Sequence, residues 1–323
     1  MTAGLLFDLM MALAVLGTAA WTLAARTQFA AVIGFVATGL LLSLVWVRLG
    51  AVDVALTEAA IGAGATGVII LYVVARLRGG TAEISAATPS RAQRALAALL
   101  AVAVGGVLAL AVLNLPDPAP SLAEAALAGS APLGLGNPVS AVLMAHRGLD
   151  TLLESVVLVF AVLAVWSMAA DHRWGGAPGP VFRREESGPL SLLARVLPPV
   201  GIVVGIYIAW VGADAPGGKF QGGTILAAMW ILPWIAGLAR PPSITDWRLR
   251  LMIAAGPLTF LCVGLAGFAV ADGFLSYPPS FAKPLILLIE AAMTLSVAAA
   301  LACLIAGPPE RRLPPESMAA DRR

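Results

Sequence analysis

Charge is scarce in this chain. Of 323 residues only 12% are Asp, Glu, Lys or Arg, against about 25% in an ordinary soluble domain. Lysine is nearly missing: Lys219 and Lys283 stand alone, and arginine supplies the other basic residues. Cysteine occurs only at Cys262 and Cys303, both inside apolar runs, which excludes a disulfide framework and any paired-cysteine metal spacing. Histidine occurs only at His146 and His172, both at the edges of apolar runs. No Ser-His-Asp pattern and no metal-ligand cluster can be assembled from this set, so no cofactor is expected. A net charge of +2 provides no basic surface for nucleic acid.

What the chain has instead is apolar sequence. Hydrophobic residues make up 60% of it, in repeated runs of about 20 residues, the length that crosses a bilayer as a helix. The expected fold is all-α, a polytopic membrane protein with about nine transmembrane helices. The spans fall near 5–24, 29–47, 52–77, 95–113, 151–170, 190–211, 224–238, 249–270 and 284–306. No basic region precedes the first run, so it is expected to be a retained helix and not a signal peptide. A proline-rich stretch follows the fourth span, holding Pro116, Pro118, Pro120, Pro132 and Pro138. Within it, 122–128 could form a short interfacial helix. The polar segment 171–187 is the most obvious boundary in the chain.

Basic residues favour the inner ends of spans. With the N-terminus outside, sixteen of the 20 fall on inner segments, leaving Arg48, Arg147, Lys219 and Lys283 outside. A missed helix would scramble that alternation, so the N-terminus is expected outside and the C-terminus inside.

The third span, VDVALTEAAIGAGATGVIILYVV, carries Glu58 within its apolar run. An ionisable group there costs about 3 kcal/mol or more, which makes it a functional-site hypothesis by default. Gly62, Gly64 and Gly67 follow, and small residues let helices in lipid approach closely. The same glycines make a π-bulge plausible. The alternative is a tightly packed helix whose Glu is merely hydrogen-bonded. Asp53 is placed to cap the N-terminus of this span.

Asp8, Glu154 and Glu290 are the other acids near or within spans. Asp150 and Glu154 share a helix face, and Arg147 lies one turn before Asp150; that pair serves either as a cap and ion pair at the membrane edge or in function. At ~1.5 Å per residue, Glu58 and Glu290 lie roughly 9–10 Å into their spans and Glu154 roughly 5–6 Å. All these spans start from the outer side in the expected topology. The acids should therefore sit in the outer half of the membrane, suited to relaying protons or binding ions.

Between the sixth and seventh spans runs DAPGGKFQGG, with Pro216, Gly217, Gly218, Phe220, Gln221, Gly222 and Gly223. It lacks P-loop spacing, and a re-entrant or close-packed connector is the favoured reading.

These residues carry a resemblance. The third span resembles the MbhD-like module of membrane-bound hydrogenases and of the large Mrp antiporter subunit, and is loosely similar to the bulged helix of the complex I subunit NuoJ. The N-x-V at Asn137 to Val139, followed by R-G-x-D-T-x-x-E from Arg147 to Glu154, resembles an MbhE-like module. The PGGKFQGG stretch resembles the MrpB (MnhB) protein of Mrp antiporters, with Ala215 and Lys219 in place of the usual Ser and Gly. His146 stands where an aromatic residue is usual.

The resemblance implies a fusion: an MbhD-like module over 1–114, a connector and MbhE-like helix over 115–172, a linker over 173–188, a four-helix MrpB-like module over 189–307 and a polar cytoplasmic tail over 308–323. It further implies a non-catalytic, multi-pass subunit of a Mrp-type Na⁺/H⁺ antiporter in the cell (inner) membrane. Its partners would be large antiporter-like subunits, a NuoK-like small subunit and other Mrp-type subunits, with Na⁺ and/or H⁺ as cargo. The implied pathway acids are Glu58 and Glu154; Glu290, Asp150, Arg147 and Asp8 join them from their placement. An energy-converting hydrogenase arm, an inorganic carbon uptake complex and a purely structural scaffold are the alternatives.

Overall fold

The computed structural model describes residues 3–79, 90–118, 120–179 and 188–311. Residues 80–89, the centre of the expected linker at 180–187 and the expected tail from 312 onward lie outside the described residues.

Among the described residues, eight helices are long and apolar enough to cross a membrane. They are α1 (Ala3–Ala24), α2 (Gln28–Arg48), α3 (from Val52 on), α4 (Arg91–Leu113), α7 (Gly148–Ser167), α8 (Pro189–Val211), α10 (Trp247–Val270) and α11 (Ala282–Ala306). A ninth apolar helix, α9 (Lys219–Ile235), has 17 residues. The expected seventh span began near 224; the helix begins five residues earlier, because Gly222 and Gly223 are helical while Gly217 and Gly218 form the turn before it.

Two short helices separate α4 from α7: α5 (Ala123–Ser130) and α6 (Pro138–Ala141). Pro at the first position of α6 needs no N–H partner there, and the Asn137 side chain accepts from the Val139 N–H to cap it. A two-stranded pairing of β1 (Ala177–Pro178) with β2 (Pro309–Arg311) ties the linker to the chain after α11.

α3 is one continuous helix in three registers: α over Val52–Thr57, π over Glu58–Ala65, and α again over Thr66–Gly79. α6 likewise continues as a π-helical turn, Val142–His146, whose bonding closes with the Arg147 N–H on the Val142 carbonyl at 2.7 Å.

α11 is the axis of the protein. Its Ala298 to Ala300 and Ala302 are buried, and it packs against α7, α8, α9 and α10. Small side chains give close backbone approach where lipid supplies no hydrophobic drive between helices. Phe260 of α10 and Ile286, Ile289 and Met293 of α11 fill one cluster with Met144 and Leu152. α1 packs on α2, α2 on α3, and α3 on α9, so the first three helices dock on the bundle through the bulged helix. α4 has no buried residue, although a Ser90–Gln93 capping box fixes its start.

Candidate functional site

Four segments far apart in sequence meet at one end of the bundle: the start of α3, the turn before α6, the Gly-rich turn before α9, and the first third of α11. The connector 212–218 can make its tight reversal because Gly217 and Gly218 hold φ of 149° and 134°, values that side chains disfavour. The neighbouring Gly222 lies where a Cβ would come within 2.6 Å of the Gly205 carbonyl, so α8 and α9 cross backbone to backbone there.

Asp53 does not cap its helix. The N-cap of α3 is Ala51, without a side-chain bond. The Asp53 carboxylate instead accepts from the Gly217 N–H at 3.0 Å and the Asn137 amide at 3.3 Å. Gln221 returns the contact, its amide donating to the Thr57 hydroxyl at 2.9 Å and the Asp53 carbonyl at 3.3 Å. Ser140 donates to the Gly212 carbonyl at 2.6 Å. Outside this knot, Lys283 donates to Asp214 at 2.6 Å, and that bond holds the Asp214 carboxyl below its ordinary value.

Beneath the knot lies a cavity of about 280 Å³, whose wall includes Asp53, Thr57, Lys219, Gln221 and Glu290. Glu290 is only 3% exposed, and its buried Oε2 makes no hydrogen bond. It sits eight residues into α11, roughly 12 Å deep at ~1.5 Å per residue. Lys219 is also 3% exposed; its Nζ lies 3.3 Å from the Met144 sulfur and 5.5 Å from the Phe220 ring centroid. The π-turn after α6 puts Met144 over the ammonium, and the Tyr277 hydroxyl fixes that turn by donating to the Met144 carbonyl at 2.9 Å. Burial pushes the Tyr277 hydroxyl above its ordinary value, so it stays a donor.

The other acids occupy separate places. Glu58 is half-buried between α2 and α3, where a Cβ on Gly39 would meet its Oε1 at 3.1 Å. Gly62 and Gly64 lie in the π-helical stretch, and Gly67 faces Val36 of α2. Glu154 is exposed, in a groove with Arg147 and Asp150. Arg147 donates to Asp150 at 2.6 Å. Asp8 pairs with Arg48 at 2.8 Å on an exposed edge. The structure thus brings Glu290 together with Asp53 and Lys219, and leaves Glu58, Glu154 and Asp8 apart from that cavity. Sequence reasoning put Lys219 outside every span and gave Asp53 a capping role. The one available signal was a lysine in a motif position that is usually glycine.

Two family models match separate parts of the chain. Residues 13–79 match the MbhD family of MBH proteins, and residues 189–308 match a domain related to the MnhB subunit of Na⁺/H⁺ antiporter. An uncharacterized protein of Methanocaldococcus jannaschii is 30% identical over 154 residues, covering 43% of this chain and 59% of the relative. The structure of the Mrp complex from Dietzia sp. DQ12-45-1b contains a chain that aligns with 95% of this one at a TM-score of 0.75 and 26% identity. The present chain spans only 35% of that longer one. The archaeal membrane-bound sulfane sulfur reductase, a respiratory membrane complex, shares the fold over 66% of this chain and 96% of its own, with a TM-score of 0.54 and 24% identity.

Proposed function

Because this chain joins an MbhD domain to an MnhB-related domain in one multi-pass membrane protein, we propose that it serves as a non-catalytic subunit of a Mrp-type cation/proton antiporter in the cell membrane. In this reading it supplies part of the ion pathway and bridges the large antiporter-like subunits to smaller membrane subunits. The division is the one its sequence suggests, with the MbhD-like and MbhE-like parts before the linker and the MrpB-like part after it. The N-terminus faces outward and the C-terminus inward, as the distribution of arginines favours.

The observation that carries this reading is Glu290. A carboxylate almost wholly withdrawn from solvent, with one oxygen unpartnered, is costly to keep inside a membrane protein. It lies on a cavity roofed by the Gly-rich turn. Glu58 at the bulge and Glu154 in the outer groove belong to the same pathway in this reading, facing neighbouring subunits or helices.

Glu290→Gln in the assembled complex, measured in membrane vesicles, is expected to lower cation/proton exchange by about tenfold or more, equivalent to ~1.4 kcal/mol on the transport barrier, with assembly intact. Exchange within a factor of about two of wild type would remove the reading. A second reading has its own support, since residues 13–79 match a hydrogenase-type module: the chain would then sit in the membrane arm of a redox complex. Copurification of the tagged chain with a metal-binding large subunit would select it.

A further inference from the structure

The Glu290 cavity contains a second ionisable group that the proposed pathway does not use. Lys219 opens α9, faces the same cavity, and is as deeply buried as Glu290. An ammonium carries three donors and a thioether is a weak acceptor. Yet the only hydrogen bond to Nζ among the described residues is the one to the Met144 sulfur. Across the cavity, Glu290 Oε2 is an acceptor without a donor. The two groups interact electrostatically without forming a direct ion pair, and Lys219 interacts similarly with Glu154.

The cavities share walls. Leu143 borders both the Lys219 cavity and the groove of Glu154. Glu290 borders both the Lys219 cavity and a further space of about 310 Å³ beside Trp210 and Leu287. Glu154, Lys219 and Glu290 therefore line adjoining spaces. A cavity of this size can accommodate several waters, given about 30 Å³ for each in the liquid.

We infer that Lys219 is the resident cation of this site, making the Glu290 cavity a proton-exchange station closed to Na⁺. This rests on the pathway reading and names its cargo at this point. A metal cation entering beside the ionised Glu290 would meet the Lys219 ammonium, a like charge in a poorly screened space. The transferred proton is the one that Lys219 already carries, so no second cation has to enter. It leaves Nζ, where one N–H bond breaks, and adds to Glu290 Oε2 through water, where one O–H bond forms. The charged pair becomes a neutral amine and a neutral acid, and the return transfer restores it. The net charge of Lys219 plus Glu290 is zero in both states, so neither leaves an uncompensated charge within the membrane. Asp53 keeps out of the exchange because its carboxylate is already engaged by Gly217 and Asn137.

The test is equilibrium binding of radioactive sodium to the purified full-length chain in detergent. Wild type is expected to show no saturable site at Glu290. Lys219→Ala and Lys219→Met, the second keeping most of the side-chain volume, are expected to gain one, and Lys219→Arg is not. Adding Glu290→Gln to either gaining variant should abolish the gain. Sodium binding by wild type that Glu290→Gln removes would overturn the inference. So would an absence of gain in both variants when their melting temperatures match wild type. If that absence accompanies loss of exchange in Glu290→Gln, only the role of Lys219 fails. If Glu290→Gln exchanges normally, the pathway reading itself fails.

Discussion

The carboxylate of Asp53 accepts the backbone N–H of Gly217 at 3.0 Å, across 164 residues of sequence. This bond joins the bulged helix of the MbhD domain to the Gly-rich turn of the MnhB-related domain. With the Asn137 amide at 3.3 Å on the same oxygen, it makes one side chain the meeting point of three segments.

Asp53→Ala leaves both donors without that acceptor. Removing one partner of a buried or half-buried hydrogen bond costs about 1–3 kcal/mol. The expected result is a lower melting temperature together with faster amide hydrogen exchange at Gly217. Asp53→Asn, which keeps an oxygen acceptor, should lose less. Equal melting temperatures and exchange rates in wild type and Asp53→Ala would show that the two domains are held together elsewhere.

The contact between α2 and α3 depends on Gly39. A Cβ there would stand 3.0 Å from Ala63 Cβ and 3.1 Å from Glu58 Oε1. Gly39→Val overfills this seam, and overpacking typically costs about 1–3 kcal/mol. Gly17 in α1 is the matched comparison, since a Cβ there meets nothing within 4 Å. Gly17→Ala should be neutral or stabilising by up to ~1 kcal/mol, because alanine is the better helix former. Thermal melts of the two variants should move in opposite directions, or at least by clearly different amounts.

The Asp214–Lys283 pair closes the connector onto the start of α11 at 2.6 Å. The Lys283 hydrogen bond keeps the Asp214 carboxyl below its ordinary value of 3.8. Because the folded value is the depressed one, the pair contributes at pH above 3.8 and its contribution fades as pH falls through the lower folded value. Both side chains are substantially exposed, so the contribution is at most ~1 kcal/mol. Lys283→Ala should return the carboxyl to its ordinary titration and lower stability slightly near neutral pH. Below the folded value the difference from wild type should vanish, as followed by thermal melts across pH.

Much of this arrangement was legible from the sequence. Runs of about 20 apolar residues set the helices, because a lipid-exposed backbone must satisfy its hydrogen bonds within itself. Glycines at 62 and 64 beside Glu58 marked the region that became π-helical. Pro138 after Asn137 marked a helix start. Each of these signals is local and needs no knowledge of what packs against it.

What the tertiary structure alone decided is which ionisable groups share a space. Glu58, Glu154 and Glu290 look alike in sequence, as acids within apolar spans. Packing sends Glu58 into the α2–α3 seam, Glu154 to an exposed groove and Glu290 to a buried cavity wall. Lys219 is buried because the motif glycines let α9 start early and lie tightly against α8 and α11, under a π-turn that delivers Met144. Periodicity gives the face of a helix, but close approach between backbones depends on pairs of residues such as Gly205 and Gly222. Those pairs are far apart along the chain, so only the assembled bundle brings them into register.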